Sequence, residues 1–324
     1  MPGGGTVTVL RATVPERLSG ERLDRALAVL FPQHSRSRLQ QWIRAGHVSV
    51  AGSQPRPRDA VTAGDEVVLR VPCEPAGDVV RPQPIPLDVV YEDESVLVID
   101  KPAGMVVHPG AGNPDGTLQN ALLDHAPELR RVPRAGIVHR LDKDTTGLLV
   151  VARTPEAHTR MVAALQAREM HREYDAIVIG RVIAGGTLEA PIGRHPVDRV
   201  RMAVRRGGRP AVTHYRVRER YRAHTRLRVW LETGRTHQIR VHLAHAGHPV
   251  LGDPVYGGRL RLPAGAGAEL AGALRAFRRQ ALHAARLALA HPATGELVTF
   301  EAPPPPDMQR LVEVLRCDAQ SRPA

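Results

Sequence analysis

The densest run of chemically capable side chains is GIVHRLDKDTTGLLVVA, residues 136–152, where His139, Arg140 and Asp142 stand just ahead of an apolar strand. Arg140 and Asp142 are two residues apart, so an extended or turn backbone aims both to the same side. The plainest reading of this trio is a surface turn closed by a local ion pair, worth about 1 kcal/mol or less. The run Asp142-Lys143-Asp144-Thr145-Thr146 also imitates an Asp-x-Asp-x-Thr order, which would suit attack of the first carboxylate on phosphorus beside Mg²⁺. Against that, His139 and Arg140 interrupt the strand ahead of the carboxylate, and no later paired acidic motif supplies magnesium ligands. A second cluster holds His237, His242, His245 and His248, of which His242 and His245 share a helical face. Zinc sites usually add Cys or carboxylate ligands, whereas Arg235 and Arg240 lie among these histidines. No metal is expected.

These residues need elements to hold them. Strand-like runs SVLVIDKP, GLLVVA, YDAIVIG, THYRVRE, RLRVWLET and LVTFEAP are mixed with helical runs PEAHTRMVAALQA, THQIRVHLAHAG and residues 268–278, with a short helix near 307–316. The strands arrive in clusters and not in strict alternation with helices, which predicts an α+β fold with a mixed, largely antiparallel sheet over residues 87–316. Residues 317–324 read as a tail. Ahead of this unit, ERLDRALAVL places Leu23, Ala26, Leu27 and Leu30 on one helical face. Ser35 is a candidate N-cap for SRSRLQQWIRAG, whose apolar stripe is Leu39, Trp42 and Ile43 and whose Arg36, Arg38 and Arg44 stay outside. Strands HVSVAG and DEVVLRV complete a small helix–helix–hairpin unit, residues 12–72. Residues 1–11, with three consecutive glycines, read as mobile. Residues 73–86 read as an extended Pro-rich linker, since proline fixes φ and removes a donor.

With 324 residues the chain can bury full cores, and it contains no apolar run long enough for a transmembrane helix. Two cysteines, Cys73 and Cys317, stand far apart without a partner motif, and the N-terminus lacks a secretory pattern, so a cytoplasmic location is expected. A formal charge of +12 favours a polyanionic partner. Aromatic residues make up only 3%, which argues against base stacking along an aromatic sheet. Lysine occurs only twice, at Lys101 and Lys143, and both fall within motifs.

Three ordered motifs carry a resemblance: KPAGMVVHPGAGNPDGTLQNAL (101–122), HRLDKDTTG (139–147) and TGRTHQIRVHLAHAGHPVLGDPVYG (233–257). Together they resemble the large bacterial family of ribosomal-RNA pseudouridine synthases. The small unit, through RLDRAL, SRSRLQQWIRAGHVSVAG and AGDEVVL, resembles an RNA-binding domain shared with a small-subunit ribosomal protein. That family usually has Asn before the glycine of its hairpin turn, where this chain has Ala51-Gly52.

The resemblance implies an isomerase that breaks the N-glycosidic bond of a uridine, turns the base and rejoins it through carbon, with no cofactor. The absence of a P-loop or dinucleotide fingerprint agrees. By place in the motifs, Asp142 would be the catalytic carboxylate and nucleophile. The residues leave open whether it attacks sugar or base. Arg240 would hold Asp142 charged and aimed. Tyr174 would stack on or hydrogen-bond a flipped uracil. Arg140 would fill the space that the base vacates, and His139, Lys101, Arg235, Thr236, His237 and Gln238 would line or contact the substrate. The implied partner is ribosomal RNA of the large subunit, with no membrane, bound by a monomer. A transfer-RNA target and a non-catalytic RNA-binding assembly factor are the alternatives.

Overall fold

The computed structural model describes residues 8–32, 34, 36–71, 80–110, 112–198 and 200–321. Ser35, Cys73 and the first part of the linker lie outside the described residues. The chain divides into two units, Met1–Val79 and Val80–Ala324.

The first unit runs β1 (Thr8–Thr13), α1 (Leu23–Leu30), α2 (Arg36–Arg44), β2 (Val48–Val50) and β3 (Glu66–Val71). Its antiparallel sheet has the order β1-β3-β2. Leu23 and Leu27 from α1 meet Leu39, Trp42 and Ile43 from α2 over Val67 and Leu69, all buried. Strand β1 corrects the reading of residues 1–11 as mobile: Thr8–Thr13 pairs along the whole of β3, and Leu10 and Ala12 pack on the core. The two core-facing positions alternate as a strand requires, but the run is short and follows glycines, so it carried little sequence signal. At the hairpin turn Ala51 and Gly52 both have positive φ (46° and 80°), so the alanine adopts a left-handed conformation that Asn takes at less cost.

The second unit contains β4 (Val89–Glu92), β5 (Val96–Lys101), α3 (Leu118–His125), β6 (Thr146–Ala152), α4 (Pro155–Ala167), β7 (His171–Ile179), β8 (Gly186–Glu189), β9 (Ile192–Arg194) and β10 (Met202–Val204). It continues with β11 (Val212–Arg220), β12 (His224–Leu231), α5 (Gln238–His245), α6 (Ala268–Ala276), β13 (Leu282–Ala290), β14 (Leu297–Glu301) and α7 (Pro306–Ser321). Its large sheet has the order β4-β5-β6-β13-β7-β12-β11-β8, with β14 also on β13. Every pairing is antiparallel except a short parallel contact of β13 with β6 at Thr146 and Gly147. There a Cβ on Gly147 would lie 2.3 Å from the carbonyl oxygen of Ala284, so only glycine lets the two backbones meet.

Central strand β13 was not foreseen. Its sequence LHAARLALA is rich in good helix formers, yet burial between β6, β7 and β14 overrides that local preference. Helix α7 also corrects the boundary at residue 316: it continues to Ser321, because nothing in EVLRCDAQS breaks a helix before Pro323. Among the described residues no helix is long and apolar enough to cross a membrane.

Candidate active site

Asp142 sits in the turn that enters β6, with the Thr145 N–H donating to its carbonyl at 3.1 Å. Several remote groups fix this turn. Lys101, at the end of β5, donates to the carbonyls of Pro102 (2.6 Å), Met105 (3.1 Å) and Lys143 (3.0 Å). The Gln280 amide donates to the Thr145 hydroxyl at 3.1 Å, and Thr146 meets His283 Nδ1 at 2.9 Å.

Arg240, in the first turn of α5, is the cation facing Asp142. Its Nη1 donates to Asp142 Oδ2 at 2.9 Å, while Nε and Nη2 grip Asp253 at 2.6 and 2.8 Å. Asp253 is fully buried and also accepts the backbone N–H groups of Val255 and Tyr256. The fork on Asp253 fixes the guanidinium plane, so its remaining edge is pre-aimed at Asp142. Burial by itself would lower the pKa of Arg240; its hydrogen bonds to Asp253 and the charge of Asp142 outweigh it and raise the value. The Tyr256 ring underlies the guanidinium at 5.1 Å.

His237 caps α5 in a left-handed conformation, φ 56°, which is strained for a non-glycine residue. Its Nδ1 lies 2.8 Å from the Tyr256 hydroxyl and its Nε2 lies 3.9 Å from Asp142 Oδ1. Burial lowers its pKa, which favours neutral imidazole.

Asp142, with 15% of its side chain exposed, opens onto a cavity of about 500 Å³. Tyr174, His139, Arg140, Arg235, Thr236 and His237 line the same cavity, with Leu231 and Leu282 as apolar walls. Tyr174 is buried on β7, and that burial raises its phenol pKa, so the hydroxyl stays protonated. His139 Nε2 accepts the N–H of Val150 at 3.2 Å. Burial, and then the nearby Arg172, push its pKa down to about 3, so the ring is neutral with its proton on Nδ1. Arg140 is exposed at the cavity rim. Arg235 donates through Nε to the Pro210 carbonyl at 3.2 Å.

Two expected substrate contacts are corrected. Lys101 is wholly buried with its three donors given to carbonyls, so none remains for RNA. The Gln238 amide is also spent: its oxygen accepts from Thr233 and from the Arg235 N–H, and its nitrogen donates to Val212 and Thr213. Both residues shape the walls from within. Asp253, Tyr256 and Arg172 were missed. A lone carboxylate in the otherwise uncharged turn GDPVYG was the available signal for Asp253, and the same-face spacing with Tyr174 was that for Arg172. Of the clustered histidines, His242 bonds Thr213 and the Ala190 carbonyl, and His248 meets the Ile179 carbonyl.

In the first unit, Arg36 grips buried Asp24 at 2.7 Å, and Arg22 reaches the same carboxylate at 3.1 Å. Arg36 is therefore partly committed within the protein. Arg38 lies over the Trp42 ring at 5.5 Å, and Arg44 is exposed.

Comparison with known proteins places these features. Residues 95–245 match the RNA pseudouridylate synthase family, and residues 21–67 match the S4 domain. The chain is 59% identical over 310 residues to Ribosomal large subunit pseudouridine synthase D of Pseudomonas aeruginosa, covering 96% of this chain and 97% of the relative. It is 58% identical over 309 residues to the protein of the same name from Xanthomonas campestris pv. campestris, covering 95% and 93%. The Escherichia coli K12 protein of that name is 56% identical over 310 residues, covering 95% of each. Among solved structures, Human RNA Pseudouridylate Synthase Domain Containing 4 aligns with a TM-score of 0.56 at 26% identity, over 71% of this chain and 93% of that one. Human RNA Pseudouridylate Synthase Domain Containing 1 aligns with a TM-score of 0.53 at 26% identity, over 71% and 95%. The chain belongs to the RNA pseudouridine synthase family of isomerases and carries an N-terminal S4 RNA-binding domain.

Proposed function

We propose that this enzyme converts uridines of large-subunit ribosomal RNA to pseudouridine, with Asp142 as the essential carboxylate acting on a uridine flipped into the cavity. One observation carries the reading: Asp142 has one oxygen held by an anchored guanidinium, and its side chain opens onto a cavity that Tyr174 also lines. The reaction breaks the N1–C1′ bond and forms a C5–C1′ bond. The C5 proton leaves and N1 gains one, so atoms and electrons balance within the nucleoside.

Asp142 serves as nucleophile, dividing one difficult step into two. Arg240 holds it ionised and aimed. Tyr174 packs against or hydrogen-bonds the uracil, and His237 and Thr236 face the same space. Taking a base out of the RNA stack costs a few kcal/mol, least in a loop, and Arg140 at the rim is placed to fill the gap. His139 and Arg235 complete the walls. The S4 unit, through Arg36, Arg38 and Arg44, adds affinity for the RNA backbone.

The ribosomal target rests on the names of relatives that are 56–59% identical over nearly the whole chain, S4 domain included. The enzyme acts as a monomer in the cytoplasm, where its RNA is made. Tritium release from RNA labelled at uridine C5 tests the chemistry. Asp142→Asn should lower the rate by more than about a thousandfold while RNA affinity stays within a few-fold. Comparable product from the variant would return the protein to a binding or assembly role. Loss of modification from transfer RNA, and not from ribosomal RNA, in cells lacking the protein would overturn the target.

A further inference from the structure

We infer that Arg172 is an anion-binding residue of the catalytic cavity, reserved for a phosphodiester next to the target uridine. The inference rests on the proposed entry of that uridine beside Asp142. Arg172 is only 9% exposed and lines the cavity. Among the described residues its guanidinium meets no carboxylate and makes no hydrogen bond, and its Nε is buried without an acceptor. Three other enclosed guanidiniums in this unit are answered by carboxylates: Arg240 by Asp142 and Asp253, Arg226 by Asp175, and Arg153 by Glu92 and Glu128. Taking a cation out of water without a counter-charge is costly, and such groups are normally paired. Arg172 lacks its partner in the free enzyme, so the substrate is the source of that partner.

The chemistry of the missing partner follows from charge. A uracil carbonyl would satisfy a donor but would leave the cation unbalanced. The phosphodiester is the charged group that RNA offers, and a guanidinium matches it with two parallel hydrogen bonds. Position agrees. Arg172 and Tyr174 are two residues apart on β7 and share a face, with Cα atoms separated by about 6.6 Å of strand. A uracil packed against Tyr174 thus has its own backbone within one nucleotide's span of Arg172. Gly234 packs closely against the guanidinium, where a Cβ would fall 3.1 Å from Arg172 Nη1. His139 Nδ1, also buried without an acceptor on the same cavity, is a second donor held open beside it.

A chemical cycle tests this. Short RNA substrates would carry a neutral methylphosphonate at one phosphodiester at a time around the target uridine, turned over by wild type, Arg172→Met and Arg172→Lys. One position next to the target should lower wild-type kcat/KM by about ten- to a hundredfold, the scale of a charged hydrogen bond. Arg172→Met should lose a similar factor on unmodified RNA and be indifferent to that substitution, and Arg172→Lys should recover part of the loss. Without RNA, Arg172→Met should melt at or above the wild-type temperature, because it removes an unanswered buried charge. Losses that multiply, wild-type indifference to every flanking methylphosphonate, or a clear drop in melting temperature would each overturn the assignment. Asp142→Asn run alongside separates the cases. If that variant is dead, such a result removes Arg172 alone; if it turns over, the reading of the cavity falls and takes Arg172 with it.

Discussion

The tripeptide Arg-Leu-Asp occurs at residues 22–24 and again at 140–142, and its two copies have opposite fates. In the S4 unit, Arg22 turns back onto Asp24, Arg36 and Gln40 join it, and the carboxylate ends with 0% of its side chain exposed. Burial works against that charge, but the hydrogen bonds from Arg22, Arg36 and Gln40 outweigh it and hold the carboxyl well below its usual range. In the catalytic unit Arg140 swings to the rim, and Asp142 takes its partner from Arg240, 98 residues away. One copy is closed, with its hydrogen-bonding capacity spent on its own unit. The other is held at one oxygen and open beside a cavity. Local sequence sets which side chains are present; partners distant in the chain decide whether a carboxylate is structural or available for chemistry.

Asp253 anchors the guanidinium that holds the second copy, and removing it should have the largest effect short of removing Asp142. Asp253→Asn should lower kcat about 10- to 100-fold, as loss of supporting partners does elsewhere, with little change in KM. A rise in KM alone, measured by tritium release, would mean that Arg240 aims Asp142 without help. Asp24→Asn should act on the other side of the comparison: about 1–3 kcal/mol less stability for the S4 unit, from buried hydrogen bonds left unmade. Its kcat on saturating RNA should be unchanged. A urea titration together with steady-state kinetics reads both, and a fall in kcat would blur the contrast.

Acid should separate the copies further. Because the folded pKa of Asp24 lies below its usual 3.8, the stability it contributes is complete above that value and fades as pH falls beneath it. The catalytic unit should weaken earlier. His139 and His224 are buried neutral, with pKa values lowered from 6.5 to about 3 and about 4 by burial first of all. The unfolded chain binds their protons first, so their contribution declines from about pH 6.5 downward. Thermal melts between pH 7 and pH 4 check this. His139→Gln should flatten the slope, and an unchanged slope would show that His139 titrates freely.

Much of this was legible in the residues. The run PEAHTRMVAALQA is helix α4 to the residue, because Thr154 caps it, Pro155 suits its first turn and Arg168 ends it in a left-handed conformation. The three motifs hold Asp142, Arg240, Thr236 and His237, and Tyr174 lines the same space from β7. What stayed hidden depends on saturation. Lys101 and Gln238 carry polar groups suited to RNA, and only the carbonyls and hydroxyls that fold around them show that those groups are spent. Arg172 is the converse, an ordinary strand arginine in sequence whose lack of a partner appears only once the cavity is built. Strand β13 was lost for a related reason: its alanines favour helix locally, and the neighbours that claim it lie far away in the chain.

The most direct measurement maps pseudouridines in ribosomal RNA from cells lacking the protein and re-supplied with single variants. Wild type and Asp24→Asn should restore the missing sites in large-subunit RNA, whereas Asp142→Asn, expressed to the same level, should restore none. Restoration by Asp142→Asn would contradict the account, because the open copy of the tripeptide would then be no more catalytic than the closed one.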